Sequence, residues 1–221
     1  HKGIEAVELA AGGYYAVVAP QIGSSVLRLR DNEKGMEVFR YRDDVSIAEI
    51  LNSTEVWGLP TLYLPNRFDG GLLKTSDGEY HLPVNEGKFG NHLHGFLQKR
   101  VHKIKALAAE DGKAYDENDF FFACFPVKFT AEITIELSDN GMRHTIALTN
   151  NSDKMLPISI ATHTTINAPF VDGGRQEDIR LQVPAVKRIN FNKRRWLPDG
   201  TQSELDKHDR EYLTGTEKHL Q

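Results

Sequence analysis

Short runs of β-branched and aromatic residues separated by Gly, Asp, Asn and Pro fill most of the chain, the pattern of antiparallel strands and their turns. The clearest run covers 127–137. There Phe129, Ala131, Ile133, Ile135 and Leu137 alternate with Lys128, Thr130, Glu132, Thr134 and Glu136, which predicts a strand with one buried face and one wet face. Asp139-Asn140-Gly141 turns that strand into 143–148, and Asn150-Asn151-Ser152-Asp153 turns it again into 158–162, so three successive antiparallel strands are expected. Residues 4–9, 14–19 and 25–29 read as an opening meander, interrupted by Ala11-Gly12-Gly13 and Pro20-Gln21-Ile22-Gly23. Leu72-Leu73-Lys74-Thr75 and Tyr80-His81-Leu82 flank Ser76-Asp77-Gly78-Glu79, where Asp-Gly is expected to supply the positive φ of a tight hairpin. One helix is predicted, over 46–51, with Asp44 as its cap. No repeat, low-complexity tract or linker marks a boundary, so a single domain over residues 1–221 is expected.

Composition narrows the function without naming it. The chain has 221 residues, enough to bury a sizeable core, and a formal net charge of -4 that offers no basic field to nucleic acid. No segment approaches the roughly 18 consecutive apolar residues of a membrane span, and no signal pattern opens the chain, so a cytoplasmic protein with no membrane or nucleic-acid partner is expected. The single Cys124 has no internal disulfide partner and sits in the apolar run Phe120-Phe121-Phe122-Ala123-Cys124-Phe125, which predicts packing rather than nucleophilic chemistry. The chain opens on His1 and closes on 212–221 without a final strand or cap, so the natural protein is expected to continue.

Three polar clusters stand out against the strands: Pro65-Asn66-Arg67-Phe68-Asp69-Gly70-Gly71, Asn91-His92-Leu93-His94-Gly95-Phe96 and Ala161-Thr162-His163-Thr164-Thr165-Ile166-Asn167. All fall at strand ends or in loops, where binding residues concentrate on a rigid sheet. For Arg67 the structural alternative is an ion pair, for example with Asp69. His92 and His94 lie two apart, so on a strand both would face one way, as half of a metal site does. No acidic residue follows the pair at a ligand spacing, and no metal is predicted. Histidine also suits proton transfer near neutral pH. Gly-x-Ser-x-Gly, phosphate-binding glycine loops and dinucleotide fingerprints are all missing from the sequence, which leaves acid–base work on a polar ligand.

Taken together, Asn66-Arg67, Asn91-His92-Leu93-His94-Gly95 and His163-Thr164-Thr165-Ile166-Asn167 resemble the aldose 1-epimerase (galactose mutarotase) family in order and spacing. Leu148-Thr149-Asn150-Asn151-Ser152-Asp153, Tyr80-His81-Leu82-Pro83-Val84-Asn85 and Trp196-Leu197-Pro198-Asp199-Gly200-Thr201 fit the same likeness, which runs from about Ser24 to Thr201. The resemblance implies an all-β fold, a large antiparallel β-sandwich with a sugar cleft on one sheet, C-terminally incomplete in this chain. It implies that an aldohexose is the partner and that no cofactor is used. It implies that His163 protonates the sugar ring oxygen, that His94 holds that region of the sugar, and that Arg67 and Asn66 bind hydroxyls. Two positions depart from the family: Thr165-Ile166 replaces aromatics, and the family's catalytic Glu and sugar-binding Asp fall beyond this chain, since Glu86, Glu132 and Glu217 sit in no matching motif. Alternatives left open are a sugar-binding module without turnover and a hexose-6-phosphate epimerase, for which Arg67, Lys99 and Arg100 are the phosphate candidates.

Overall fold

Alternation does build the strands. The computed structural model describes residues 1–53, 56–104, 112–115, 121–179 and 183–213, and they divide into two compact units, His1–Ile166 and Asn167–Gln221. Phe120 and residues 214–221, Glu217 among them, lie outside the described residues.

The first unit opens with a four-stranded antiparallel meander of β1 (Val7–Ala11), β2 (Tyr14–Ala19), β3 (Ser25–Asp31) and β4 (Met36–Glu37); the opening runs predict the first three, and β4 is an addition. A short helix α1 (Ile47–Asn52) follows. Its cap is Ser46 rather than Asp44: the Ser46 hydroxyl accepts from the Glu49 N–H while the Glu49 carboxylate accepts from the Ser46 N–H. Asp44 is instead engaged by Arg42.

Five short strands then prepare the site: β5 (Thr61–Tyr63), β6 (Arg67–Asp69), β7 (Leu72–Thr75), β8 (Gly78–His81) and β9 (Asn91–Leu93). The β7–β8 hairpin forms where expected, but Thr75 pairs with Gly78, so the two loop residues are Ser76 and Asp77 and the glycine belongs to the strand. Beyond β10 (Gly112–Tyr115), the long alternating run becomes β11 (Phe129–Ser138), paired residue for residue with β12 (Gly141–Asn150).

β13 (Ile160–Thr162) corrects the expected three-strand succession. It leaves β12 and pairs antiparallel with β5, with Thr162 opposite Thr61 and Ile160 opposite Tyr63. Ile158, taken as strand at the sequence level, lies outside β13 and is 76% exposed.

Two apolar clusters pack on β11 in this unit, beside a third of Ala19, Ile22, Leu27 and Ile47. One gathers Tyr63, Leu64, Phe96, Phe125, Val127, Phe129 and Ala131, and the other gathers Ala16, Val18, Val26, Leu29 and Phe39. Ile135 and Leu137 pack on the second while Phe129 and Ala131 belong to the first, so the buried face of β11 serves both clusters. Each fully buried side chain of this size contributes about 1.5–3 kcal/mol of hydrophobic stabilisation. Cys124 is half-buried, with its thiol donating to the Phe121 carbonyl at 3.1 Å.

The second unit holds the antiparallel pair β14 (Lys187–Asn192) and β15 (Leu197–Glu204) and the helix α2 (Lys207–Leu213). Phe191 and Trp196 meet edge to face beside the turn, with ring centroids 6.2 Å apart. No helix among the described residues is long and apolar enough to cross a membrane.

Candidate functional site

The three polar clusters converge within the first unit because β5 lies between two of them. On one side β13 pairs with β5, and the next residue, His163, donates its backbone N–H to the Pro60 carbonyl at 3.1 Å. On the other side Tyr63 bridges in parallel to Gly95, and its carbonyl accepts from the Phe96 N–H at 2.6 Å. The two histidines therefore flank a common strand, and their rings meet edge to face with centroids 5.3 Å apart. The first cluster joins through β6, which pairs with β9 so that Arg67 lies opposite Leu93 and Phe68 opposite His92. The His94 N–H donates to the Asn66 carbonyl at 2.9 Å, which ties the second cluster to the first.

His92 and His94 do not share a face. His92 is wholly buried against Phe68 and Phe96, and its Nδ1 bonds the Pro83 carbonyl at 2.7 Å. His94 leaves the strand in the left-handed region at φ 68, which turns its ring away from the strand's alternation and toward His163. Among the described residues no group of three or more His, Cys, Asp or Glu side chains is placed to hold a metal ion.

Gly95 makes this close approach possible. A Cβ there would fall 2.0 Å from both the Leu64 nitrogen and the Tyr63 oxygen, and its φ of +67 is left-handed as well. The glycine after the histidine thus has a steric reason that spacing alone does not disclose.

Arg67 forms an ion pair, but not with Asp69. Its Nε donates to the Glu86 Oε2 at 2.9 Å and its Nη2 to Oε1 at 2.7 Å, a two-pronged pairing with side chains 23% and 12% exposed. Its Nη1 reaches the Asn66 Oδ1 at 3.3 Å. Of the five guanidinium N–H groups these bonds use three, so two have no partner among the described residues and can serve a ligand. Glu86 is itself held: the amide of the fully buried Asn91 donates to its Oε2 at 3.0 Å, and Glu86 and Asn91 bridge through their backbones. Asn85 beside it grips the Leu93 backbone through both ends of its amide, at 2.6 and 3.0 Å. Sequence reasoning set Glu86 aside because it matched no motif. An acid in a turn carries no periodic signal, and only the fold brings it to Arg67.

The electrostatics follow from these contacts. The hydrogen bonds from Arg67, helped by Asn91, hold Glu86 below the usual carboxylate range against the opposing effect of burial, so it is ionised at neutral pH. Burial is the main force that lowers His94 to about 4, and nearby His163 and Arg67 push the same way. His94 is accordingly a neutral imidazole at pH 7. Its Nδ1 is buried without a hydrogen-bond partner among the described residues. His163 is exposed, so a ligand can reach its ring directly. Asn66 is exposed too. The site thus combines a reachable imidazole, a neutral one beside it and a clamped guanidinium with donors to spare.

Of the phosphate candidates, Arg67 is placed with a carboxylate against its charge. The charge of Arg67 is paired with Glu86, Lys99 donates to the Leu51 carbonyl at 2.8 Å, and Arg100 donates to the Phe96 carbonyl at 2.9 Å while lying over the Phe121 ring.

Comparison with known proteins gives this geometry a setting. A galactose mutarotase-like protein from Clostridium acetobutylicum is similar over 94% of this chain at 29% identity, with a TM-score of 0.87. A proposed aldose 1-epimerase from Escherichia coli K12 shares the fold over 97% of the chain at 16% identity and a TM-score of 0.73. An aldose epimerase homologue from C. elegans does so over 92% at 16% identity and a TM-score of 0.66. The chain spans 64%, 66% and 62% of the lengths of these three proteins. The all-β architecture described above is theirs. The sequence profile of aldose 1-epimerases matches residues 5–219, nearly the whole chain, and the protein belongs to the aldose 1-epimerase family.

Proposed function

We propose that the protein is an isomerase of free aldohexoses that interconverts their α and β anomers by opening and reclosing the ring. The observation that carries this reading is the pair of histidine rings 5.3 Å apart, one exposed and one neutral, beside the clamped Arg67. His163 gives a proton to the ring oxygen as the bond from that oxygen to the anomeric carbon breaks. The anomeric hydroxyl loses its proton to a base and becomes the aldehyde; rotation and reclosure then produce the other anomer. His94, neutral, hydrogen-bonds the sugar near the ring oxygen, and Arg67 and Asn66 hold hydroxyls. One well-placed acid or base typically supplies about 10²–10⁴-fold. Family resemblance assigns the base to a glutamate. Glu86 does not take that part, because Arg67 occupies both of its oxygens. The pairing of Arg67 with Glu86 favours a free aldose over a phosphosugar.

Saturation-transfer NMR on glucose, galactose and their 6-phosphates, with His163→Asn as control, tests the proposal. Exchange of a free aldose that vanishes in the control while sugar binding persists would support His163 as the acid and mean that a base lies among these residues. Undiminished exchange in His163→Asn would remove the acid assignment, and sugar binding without exchange in either protein would mean either that the base is not among these residues or that the protein is a binding module, which the same assay on a longer chain carrying the family's glutamate distinguishes.

A further inference from the structure

Glu86 is a fully engaged carboxylate beside the candidate site, and its surroundings suit orientation rather than reaction. Three features coincide there. It grips Arg67 at two points, it is fixed from behind by the fully buried Asn91, and its backbone carbonyl accepts from Gly90 at 2.8 Å. A long guanidinium side chain otherwise samples many rotamers, and freezing it before the ligand arrives lowers the entropy cost of binding. The clamp also cancels one positive charge. An uncompensated guanidinium in a half-buried corner is the usual recognition element for phosphate, whereas one already paired offers hydroxyls only its remaining N–H groups.

We propose that Glu86 is a positioning and specificity residue: it fixes Arg67 for hydrogen bonding to sugar hydroxyls and, by neutralising it, turns the site away from phosphorylated sugars. This rests on the reading of the site as a sugar cleft, and it makes Glu86 responsible for the class of sugar accepted.

The test compares wild type, Glu86→Gln, Glu86→Asp and the double variant Glu86→Gln/Arg67→Gln, each checked for folding by circular dichroism. Binding of glucose, glucose 6-phosphate and inorganic phosphate is measured by calorimetry at low and high salt. In Glu86→Gln, glucose affinity should fall about tenfold, the typical worth of a hydrogen bond to a charged group. Inorganic phosphate and glucose 6-phosphate should bind more tightly in the same variant, and the gain should disappear in high salt and in the double variant. Glu86→Asp, which keeps the charge on a shorter stem, should weaken glucose while still excluding phosphate. Parallel weakening of all three ligands in Glu86→Gln would reduce Glu86 to a structural support and overturn the proposal, as would unchanged selectivity. A wild type that binds no aldose, combined with an Arg67-dependent phosphate gain in Glu86→Gln, would refute the sugar reading and leave the charge-cancelling role standing.

Discussion

Gly95 and Gly70 both hold left-handed backbone, at φ +67 and +59, yet alanine should affect them very differently. Around Gly70 nothing lies within 4 Å of where a Cβ would sit. Alanine there bears only the left-handed penalty, about 1 kcal/mol, which lowers the melting temperature of a chain this size by about 2–4 °C. At Gly95 the same atom would stand 2.0 Å from main-chain atoms of Tyr63 and Leu64, where ordinary contact begins at 3.4 Å. No side-chain rotation relieves that overlap, because both obstacles are backbone next to the first apolar cluster. The loop must retreat by more than an ångström, which threatens the Phe96 bond to the Tyr63 carbonyl. Left-handed strain, overpacking and one lost hydrogen bond together come to about 3–5 kcal/mol. Thermal and urea unfolding of Gly95→Ala and Gly70→Ala beside wild type would measure the difference, with Gly95→Ala expected to melt about 10 °C lower. Equal losses in the two variants would refute the close packing of Gly95 on β5, and with it the account of why His94 sits where it does.

The pH dependence of stability offers a second check. His94 is held at about 4 against 6.5 for the free side chain, so between those values the unfolded chain binds a proton that the folded chain refuses. Stability should therefore fall as pH drops from about 6.5 to about 4, by at most about 3 kcal/mol from this group, and His94→Gln should flatten that part of the curve in urea titrations. An identical slope in the variant would mean that His94 is not buried in the neutral form. At α1, Ser46→Ala removes one half of the capping box and should cost about 1 kcal/mol, whereas Asp44→Ala should cost less than half of that; a reversed order by chemical denaturation would restore Asp44 as the cap.

What could be read from the sequence was local. Phe129, Ala131, Ile135 and Leu137 declared their shared face by alternation, and the meander and the β7–β8 hairpin announced themselves through their breakers. Partner choice was hidden, because alternation tells which face a strand buries and not which neighbour it pairs with. β13 follows β12 in sequence yet joins β5, some hundred residues earlier. The polar clusters around Arg67, His94 and His163 were visible as residue types at strand ends. Their geometry was not: His94 turns away from His92 through a left-handed backbone at a non-glycine position, and Arg67 prefers Glu86 across a loop to Asp69 two positions away. Even the α1 cap hinged on whether Ser46 or Asp44 meets the first helical N–H, a difference of two residues that composition does not resolve.

β5 fixes both histidine loops through main-chain hydrogen bonds and bridges, at Pro60 on one side and Tyr63 on the other. The gauge between the two rings is consequently a property of the backbone, much as the width of a track is set by its sleepers rather than by what runs on it. Side chains along β5 can drift without altering that gauge, so long as they stay small enough to be buried and leave Gly95 its space. A pair of histidines held this way keeps its spacing as long as the main chain of β5 keeps its hydrogen bonds.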